Sequence, residues 1–204
     1  MTSFAQGVCR YLGPEDLERI GRVRVGIAGA GGLGSNCAWM LTRSGFADFT
    51  IVDNDVVDMS NLNRQFFFVR QVGSPKVEAL KENLLAINPD AVVRAIQVEV
   101  TPENVRELFA ECDVVVEAFD QAQAKRMIVE AYLGSGKFLV AASGLAGCGD
   151  ADRIKTHRMK DDFYMVGDLV SQVSPQCPPL APCVTIAAAK QADLVLEHAL
   201  GRRT

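Results

Sequence analysis

Several features typical of membrane, secreted or nucleic-acid-binding proteins are missing from this sequence. No stretch reaches the roughly 18 apolar residues that a membrane-spanning helix requires. The first residues show no basic run followed by an apolar segment, which argues against a secretory signal. The net charge of −4 and the pI near 5.3 provide no broad attraction for nucleic acids or anionic lipids. We therefore expect a cytoplasmic protein with no nucleic-acid or membrane partner.

Histidine and paired cysteines are also scarce. The two histidines, His157 and His198, lie beside no candidate nucleophile in the sequence, so neither is a good candidate for a general base. The cysteines form no CxxC pair and no disulfide-like framework, which predicts reduced thiols, several of them in the core. The six are Cys9, Cys37, Cys112, Cys148, Cys177 and Cys183.

What is present is ordinary globular composition, with 49% hydrophobic and 23% charged residues in a chain of 204. A chain of this length suits one domain with a substantial core. We predict a single domain over 1–204, with an N-terminal helical segment at 1–20 and an irregular loop region at 144–183. Four of the eight residues from Pro175 to Pro182 are proline, which indicates a surface crossing.

Short apolar runs alternate with amphipathic stretches, a pattern typical of βαβ units around a parallel sheet. The sequence therefore predicts an α/β fold of the Rossmann-like, doubly wound kind, with a mainly parallel sheet and helices on both faces. The predicted strands are 23–28, 49–53, 92–100, 113–118 and 138–143. The predicted helices are one that follows the turn 29–34 and runs to about 45, 74–87, one starting near 101–104, 125–133 and 184–200.

A glycine-rich turn follows the first predicted strand and opens a helix. Gly29, Gly31 and Gly34 form a GxGxxG motif, with Gly32 between them, which allows a tight turn and presents backbone amides to a phosphate. Asp53 ends the second strand, where a carboxylate can accept both hydroxyls of a ribose. These features predict nucleotide binding, and by themselves they fit an NAD-binding domain equally well.

Two cations beyond the second strand favour ATP chemistry. Nucleotidyl transfer needs positive charge on the β- and γ-phosphates as pyrophosphate leaves, and Arg64 and Lys76 can supply it. Lys76 lies in the first turn of a helix, where the helix dipole disfavours a cation, so we expect an anionic neighbour such as a triphosphate. The alternative for each residue is a solvated surface charge.

Asp120 follows the fourth strand at the carboxyl edge of the sheet, where ligands of such folds bind. It is a candidate ligand for Mg²⁺, which commonly takes only one or two protein carboxylates and completes its shell with water and phosphate oxygens. The alternative is a helix N-cap.

Together these motifs resemble the ThiF/MoeB/HesA family, the bacterial relatives of ubiquitin-activating enzymes. The similarity covers about residues 20–145. The matching segments are GAGGLGS (29–35), VDNDVVDMSNLNRQ (52–65), GSPK (73–76), INPD (87–90) and the strand that leads to Asp120. Within the family, EAFD (117–120) and ASGLAGCGD (142–150) resemble the short ThiF-type branch associated with thiamine biosynthesis.

The resemblance implies an adenylyltransferase that uses ATP and Mg²⁺ to activate the C-terminal Gly-Gly carboxylate of a ubiquitin-like sulfur carrier protein of the ThiS type, with release of pyrophosphate. It assigns the glycine turn to the nucleotide, Asp53 to the ribose, Asn61, Arg64 and Lys76 to the phosphates, and Asp120 to Mg²⁺.

Further expectations follow from the same resemblance. Asp55 is a second acid available to the nucleotide site, and the implied assembly is a homodimer in which Arg10 enters the partner's site. Many relatives carry a structural zinc held by two CxxC pairs; this chain has none, so we expect no structural zinc. Cys177 or Cys183 remains an alternative acceptor for sulfur or an acyl group, although the sequence places no cation near either thiol.

Three other functions stay open. An NAD(P)-dependent oxidoreductase would use the glycine turn and Asp53, but has no evident use for Arg64 and Lys76. A non-catalytic protein could dock a ubiquitin-like partner without activating it. A related activating enzyme could act on a different carrier or on a tRNA carboxylate, against which the low pI argues.

Overall fold

The computed structural model describes residues 2–202, which build one seven-stranded sheet. The strands are β1 (Arg24–Ala28), β2 (Asp48–Val52), β3 (Val92–Ile96), β4 (Val114–Glu117), β5 (Phe138–Ala142), β6 (Lys155–Lys160) and β7 (Phe163–Gly167). Their order is β3-β2-β1-β4-β5-β7-β6, and every neighbouring pair is parallel except β6 with β7. The predicted Rossmann-like, mainly parallel fold is confirmed.

Helices cover both faces of the sheet. They are α1 (Ser3–Val8), α2 (Pro14–Gly21), α3 (Gly32–Arg43), α4 (Lys76–Ile87), α5 (Val105–Leu108), α6 (Ala122–Tyr132) and α7 (Ala181–Leu200). Short 3₁₀ turns lie at Met59–Asn61, Val69–Gln71 and Ala151–Arg153. Within residues 2–202, no helix combines the length and the apolar character needed to cross a bilayer.

The core divides into two apolar clusters because side chains alternate across each strand. On β4, Val114 and Val116 join the cluster under α3, α4 and α7, whereas Val115 joins the cluster under α5 and α6. All three valines are fully buried. A parallel sheet covered on both faces requires such continuously apolar strands, and for this reason the sequence pattern predicted them correctly.

The structure differs from the sequence prediction mainly after residue 144. The region 144–183 was expected to be irregular, but β6 and β7 lie within it and extend the sheet by an antiparallel hairpin. The residues of β6, KTHRMK, are charged and mostly exposed, as expected of an edge strand, so they carry no alternating apolar signal. The third strand also ends early, at Ile96, and the helix expected near 101–104 is only the short α5.

Candidate active site

A cavity of about 940 Å³ opens at the carboxyl edge of the sheet. The carboxyl ends of three strands are level at the base of this cavity, because Ala28 of β1 pairs with Val52 of β2 on one side and with Glu117 of β4 on the other. The strand order reverses at β1, because β2 and β3 lie on one side of it and β4 and β5 on the other. The loops after β1, β2, β4 and β5 all contribute to the cavity wall. Ligands of doubly wound folds bind at such a switch point.

The glycine turn combines a left-handed backbone conformation with close packing. Gly29 has φ of 100°, a left-handed conformation that favours glycine, and its amide donates to the Val52 carbonyl at 2.9 Å. Gly31 and Gly32 line the cavity at the N-terminus of α3. Gly34 instead faces the turn itself: a Cβ there would lie 1.8 Å from the Gly29 carbonyl oxygen. Gly34 therefore permits helix–strand contact, while the two preceding glycines face the cavity.

Asp53 supports the backbone of two loops. Its carboxylate accepts hydrogen bonds from the amide of Ala30 at 2.6 Å and from the amide of Asp55 at 2.8 Å, and the residue is only 8% exposed. It also lines the cavity. Asp53 thus holds the glycine turn in place, a role that the sequence did not indicate, and its remaining lone pairs are the ones available to a ribose.

Lys76 has an anionic neighbour within the protein. Its ammonium donates to the Asp55 carboxylate at 2.6 Å, and the lysine side chain is 8% exposed whereas that of Asp55 is 62% exposed. Asp55 therefore supplies at least part of the negative charge that the helix dipole led us to expect beside Lys76. Both residues line the cavity, so the exposed carboxylate can turn toward water when a phosphate approaches the lysine.

The loop that carries Arg64 is tied to α3. Asn36 donates to the Arg64 carbonyl at 2.8 Å, and the Phe66 amide donates to the Ser35 hydroxyl at 3.0 Å. The Arg64 guanidinium donates to Asn63 at 2.8 Å and lines the cavity. By contrast, Asn61 caps the turn Met59–Asn61 by accepting from the Asp58 amide at 3.0 Å, and it is not among the residues that line the cavity.

Asp120 lies on the cavity wall just before α6, and Gln121, not Asp120, is the N-cap residue of that helix. No described residue donates a hydrogen bond to the exposed Asp120 carboxylate or forms an ion pair with it. An exposed carboxylate at this edge fits a Mg²⁺ that takes one protein ligand. Within residues 2–202 no group of three His, Cys, Asp or Glu side chains could hold a metal.

A buried ion pair at the end of β4 was not predicted from the sequence. Glu117 is fully buried, and Lys125 in the first turn of α6 donates to its two oxygens at 3.2 and 3.1 Å. Burial raises the pKa of Glu117, against the opposing effect of the Lys125 ammonium. Gln191 of α7 donates to the Glu117 carbonyl at 3.0 Å. The available signal was a glutamate inside an otherwise apolar strand, since such a charge needs a partner.

The far rim of the cavity is the segment 168–173, which Asp168 organises. Its carboxylate forms an ion pair with Arg153 and accepts from the amides of Val170 at 2.9 Å and Ser171 at 2.8 Å. Burial opposes ionisation, but the hydrogen bonds from Ser171, Val170 and Arg153 outweigh it and lower the Asp168 pKa from 3.8 to about 2. Leu169 has φ of 63°, so the rim also stores backbone strain.

We expect Asp168→Asn to loosen this rim. Because the folded-state pKa is depressed, the carboxylate contributes its full stability above about pH 4 and loses it as the pH falls through about 2. Between pH 4 and pH 2, the thermal midpoint of the wild type should therefore fall further than that of Asp168→Asn, because the variant has no carboxylate to protonate at this position. Asp161→Asn, at a position 97% exposed, is the control and should behave like the wild type. Equal pH profiles for wild type and Asp168→Asn would contradict this role.

Arg10, Cys177 and Cys183 are not among the residues that line the cavity, although Cys183 directly precedes Val184, which is. Arg10 follows α1, which packs near the end of α3 through Val8 and Gly45, and it is not among the residues lining the cavity of its own chain. The expectation that no cation lies near either thiol is wrong for Cys183, since Arg153 donates toward its sulfur at 3.6 Å. Burial nevertheless raises the pKa of Cys183, which disfavours a thiolate nucleophile.

Known proteins resemble this chain in sequence and in fold. A sulfur carrier protein adenylyltransferase of Thermus thermophilus is 36% identical over 136 residues, which are 66% of this chain and 50% of that protein. A tRNA threonylcarbamoyladenosine dehydratase of Bacillus subtilis is 34% identical over 154 residues, 72% of this chain and 61% of that protein. This chain thus spans about half to three fifths of the length of these two relatives.

The fold has a close structural counterpart as well. The crystal structure of E. coli tRNA N6-threonylcarbamoyladenosine dehydratase, TcdA, in complex with AMP superimposes with a TM-score of 0.87 at 23% identity, covering 97% of this chain and 94% of that one. At that identity the likeness shows the shared architecture alone. The sequence profile of the ThiF family matches residues 6–204, nearly the whole chain. The chain belongs to the ThiF family.

Proposed function

We propose that this protein is an adenylyltransferase that uses ATP to activate the C-terminal Gly-Gly carboxylate of a ubiquitin-like sulfur carrier protein. The observation that carries the proposal is one cavity that unites the glycine turn and Asp53 with the cations Arg64 and Lys76 and the carboxylate of Asp120. The proposed carrier is of the ThiS type, in thiamine thiazole biosynthesis, because EAFD and ASGLAGCGD resemble that branch of the family.

The proposed reaction needs no protein nucleophile. A carboxylate oxygen of the carrier attacks the α-phosphorus of ATP, a new P–O bond forms, and the bond to the bridging oxygen breaks so that pyrophosphate leaves with its electron pair. The glycine turn and Asp53 hold the nucleotide, and Arg64 and Lys76 neutralise charge on the departing phosphates. Asp120 would hold Mg²⁺, which supplies further neutralisation of phosphate charge when bound.

The cavity supports ATP chemistry over hydride transfer. Hydride transfer requires no cations beside the glycine turn, yet the Arg64 guanidinium is held there by Asn63 and the Ser60 carbonyl, and Lys76 is almost fully buried at the wall. Each cation is therefore positioned by the fold rather than left in solvent. NAD(P) binding without ATP binding would overturn this argument.

The acceptor side of the cavity favours a polypeptide tail over RNA. The rim segment exposes Leu169, Val170 and Val173, which are 43%, 78% and 65% exposed and line the cavity. The lining includes three cations (Arg64, Lys76 and Lys125) and four acids (Asp53, Asp55, Glu99 and Asp120), so beyond the two cations assigned to ATP it has no surplus positive charge for an RNA backbone. The tRNA carboxylate is the second candidate, because the dehydratase of Bacillus subtilis is similar over 72% of this chain.

The assembly that we propose is a homodimer to which Arg10 contributes across the interface. Since Arg10 does not line the cavity of its own chain, any role in the reaction requires a second copy. Sedimentation should show a dimer, and mixing Arg10→Ala with Lys76→Ala protein should restore about a quarter of the wild-type activity if the sites are shared. Full activity of a monomer would contradict the role of Arg10.

ATP–pyrophosphate exchange tests the proposed reaction. With Mg²⁺ and a panel of carriers ending in Gly-Gly, we expect exchange that depends on one class of carrier. Exchange should fall roughly 10²–10³-fold in Arg64→Ala, which removes a cation from the phosphates, and in Asp120→Ala, which removes the proposed ligand of Mg²⁺. Matched controls are Arg158→Ala and Asp161→Ala, an exposed pair in the β6–β7 hairpin away from the cavity, which should exchange like the wild type.

The outcomes separate the candidate functions. Exchange with a carrier, lost in the two site variants and kept in the two controls, would support tail adenylation. Exchange with threonylcarbamoyladenosine-containing tRNA and with no carrier would transfer the proposal to the RNA carboxylate. Exchange retained in both Arg64→Ala and Asp120→Ala would show that the reaction occurs elsewhere on the protein.

A further inference from the structure

The cavity has a second half, which is lined by the segments that follow β4 and β5. Among the described residues that line this half, Lys125 is the one cation. The ammonium of Lys125 reaches Glu117, the last residue of β4, and a Glu117 oxygen also lies 3.5 Å from the amide of Ala142, the last residue of β5. Lys125 is therefore located between the carboxyl ends of β4 and β5. The phosphate cations Arg64 and Lys76 lie on the other side of the glycine turn, in the segment that follows β2.

The contacts of Glu117 position Lys125, and its buried carboxylate is not exposed to a ligand. It is fully buried, and one oxygen accepts from the Phe119 amide at 2.7 Å while both accept from Lys125. The side chain of Gln191, itself fully buried, fixes the adjacent backbone from α7. A carboxylate with this many donors can keep the ammonium in one place.

Lys125 keeps donor capacity for something in the cavity. An ammonium has three N–H groups, and contact with one carboxylate leaves at least one for another acceptor. The Lys125 side chain is 23% exposed and lines the cavity, so that donor can reach a ligand. Because its charge is already matched by Glu117, the lysine can orient an anion by a hydrogen bond without fully neutralising it, which preserves the anion's nucleophilicity.

In-line geometry indicates which anion this is. In phosphoryl and nucleotidyl transfer the attacking and leaving oxygens lie roughly in line on opposite sides of the phosphorus. If Arg64 and Lys76 hold the departing pyrophosphate, the attacking group must approach from the opposite side. Neighbouring strands are spaced by about 4.8 Å and β1 lies between β2 and β4, so the end of β4 lies roughly 10 Å from that of β2, on the far side of the glycine turn from Arg64 and Lys76.

We infer that Lys125 binds the attacking carboxylate of the acyl substrate, and that Glu117 is the positioning residue that aims it. This inference rests on the proposed function, because it assigns the acceptor half of the same site. It predicts that Lys125 discriminates a free carboxylate from its amide, while the nucleotide is held by the other half of the cavity.

Equilibrium binding tests the inference without turnover. The probes are the non-hydrolysable ATP analogue AMPCPP and, on protein saturated with it, a ten-residue synthetic peptide ending in Gly-Gly with either a free carboxylate or a carboxamide terminus. We expect the wild type to prefer the carboxylate roughly tenfold, as for one charge-assisted hydrogen bond. Lys125→Met should lose that preference, Lys125→Arg should recover part of it, and both should bind AMPCPP within about twofold of the wild type.

Two further variants distinguish a positioning role from a structural one. Glu117→Gln should bind AMPCPP normally but lower the carboxylate preference, and in exchange assays raise the KM for the carrier more than it lowers kcat. Lys160→Met, which removes an exposed lysine at the end of β6, is the matched control and should leave the preference unchanged. Thermal unfolding of each variant confirms that the comparison uses folded protein.

Failure of the inference is distinct from failure of the proposed function. A wild type that shows no carboxylate preference, or a Lys125→Met variant that retains it, would overturn the role of Lys125 even if exchange occurs. A large loss of AMPCPP affinity in Lys125→Met would overturn it too, by making the lysine a phosphate ligand. Absence of exchange with every carrier would reject the proposed substrate, while the peptide preference would still report on Lys125.

Discussion

Replacing Gly34 with alanine is expected to cause the largest loss of stability among the changes considered. The added Cβ would lie 1.8 Å from the Gly29 carbonyl oxygen and 2.9 Å from a methyl of Ile27, so α3 would have to move away from β1. The clash is with backbone and cannot be relieved by a side-chain rotation. We expect a loss of about 3 kcal/mol or more in the free energy of unfolding.

The same displacement should damage the nucleotide site. Gly31 is the N-cap of α3 and Gly32 its first residue, so a shift of about 1 Å in that helix should lower the rate of ATP–pyrophosphate exchange roughly a hundredfold. Unfolding in urea can be followed through Trp39, the one tryptophan of the chain, which lies on α3 with its ring 5.6 Å from that of Phe66.

A matched glycine provides the control for this prediction. Gly7 lies in the helix α1, and a Cβ there would meet no atom within 4 Å. Gly7→Ala should therefore leave stability unchanged or raise it slightly, because alanine favours a helix. If Gly34→Ala unfolds at the same urea concentration as the wild type, the close contact between α3 and the turn is not a determinant of stability.

Lys76→Met should abolish most of the activity with little effect on folding. Methionine preserves much of the aliphatic chain but removes the charge that we assign to the departing phosphates, so exchange should fall roughly 10²–10³-fold. The Asp55 carboxylate left behind is 62% exposed and can be solvated by water, so the free energy of unfolding should change by less than about 1 kcal/mol. Exchange and urea unfolding of the same preparation check both parts.

Lys81→Met controls for the loss of a lysine from the same helix. Lys81 lies five residues further along α4 and is not among the residues that line the cavity, so its variant should exchange normally. If Lys76→Met also exchanged normally, the role of Lys76 would be limited to its ion pair with Asp55. If it lost exchange and stability together, a structural role would explain both results.

The local patterns of the chain determined much of the fold and the centre of the site. Strands β1, β2, β4 and β5 are short apolar runs followed by a turn or an acid, which sequence spacing reveals directly. The glycine turn, Asp53 and Asp120 each lie next to the end of such a strand. Because parallel strands in this fold end at one edge, placing these residues on the strands already placed them together.

The tertiary structure decided which side chains pair across that edge. The contact of Lys76 with Asp55 spans 21 residues, and that of Gln191 with Glu117 spans 74. The ion pair of Arg153 with Asp168 depends on how β6 and β7 join the sheet. No local spacing encodes these partners, because each follows from the packing of elements that are distant in the chain.

The same division explains where the sequence prediction was incomplete. An exposed, charged strand such as β6 has no period-two apolar pattern, since it does not contribute a core face; its strand conformation comes from pairing with β7. Likewise, Gly34 and Gly31 look equivalent in the motif, but only the packing of α3 against β1 shows that one excludes a side chain and the other faces the cavity. The sequence by itself determined the strands, the turn and the charges near it, because those are local; the pairing of the charges and the shape of the acceptor half were decided by long-range packing.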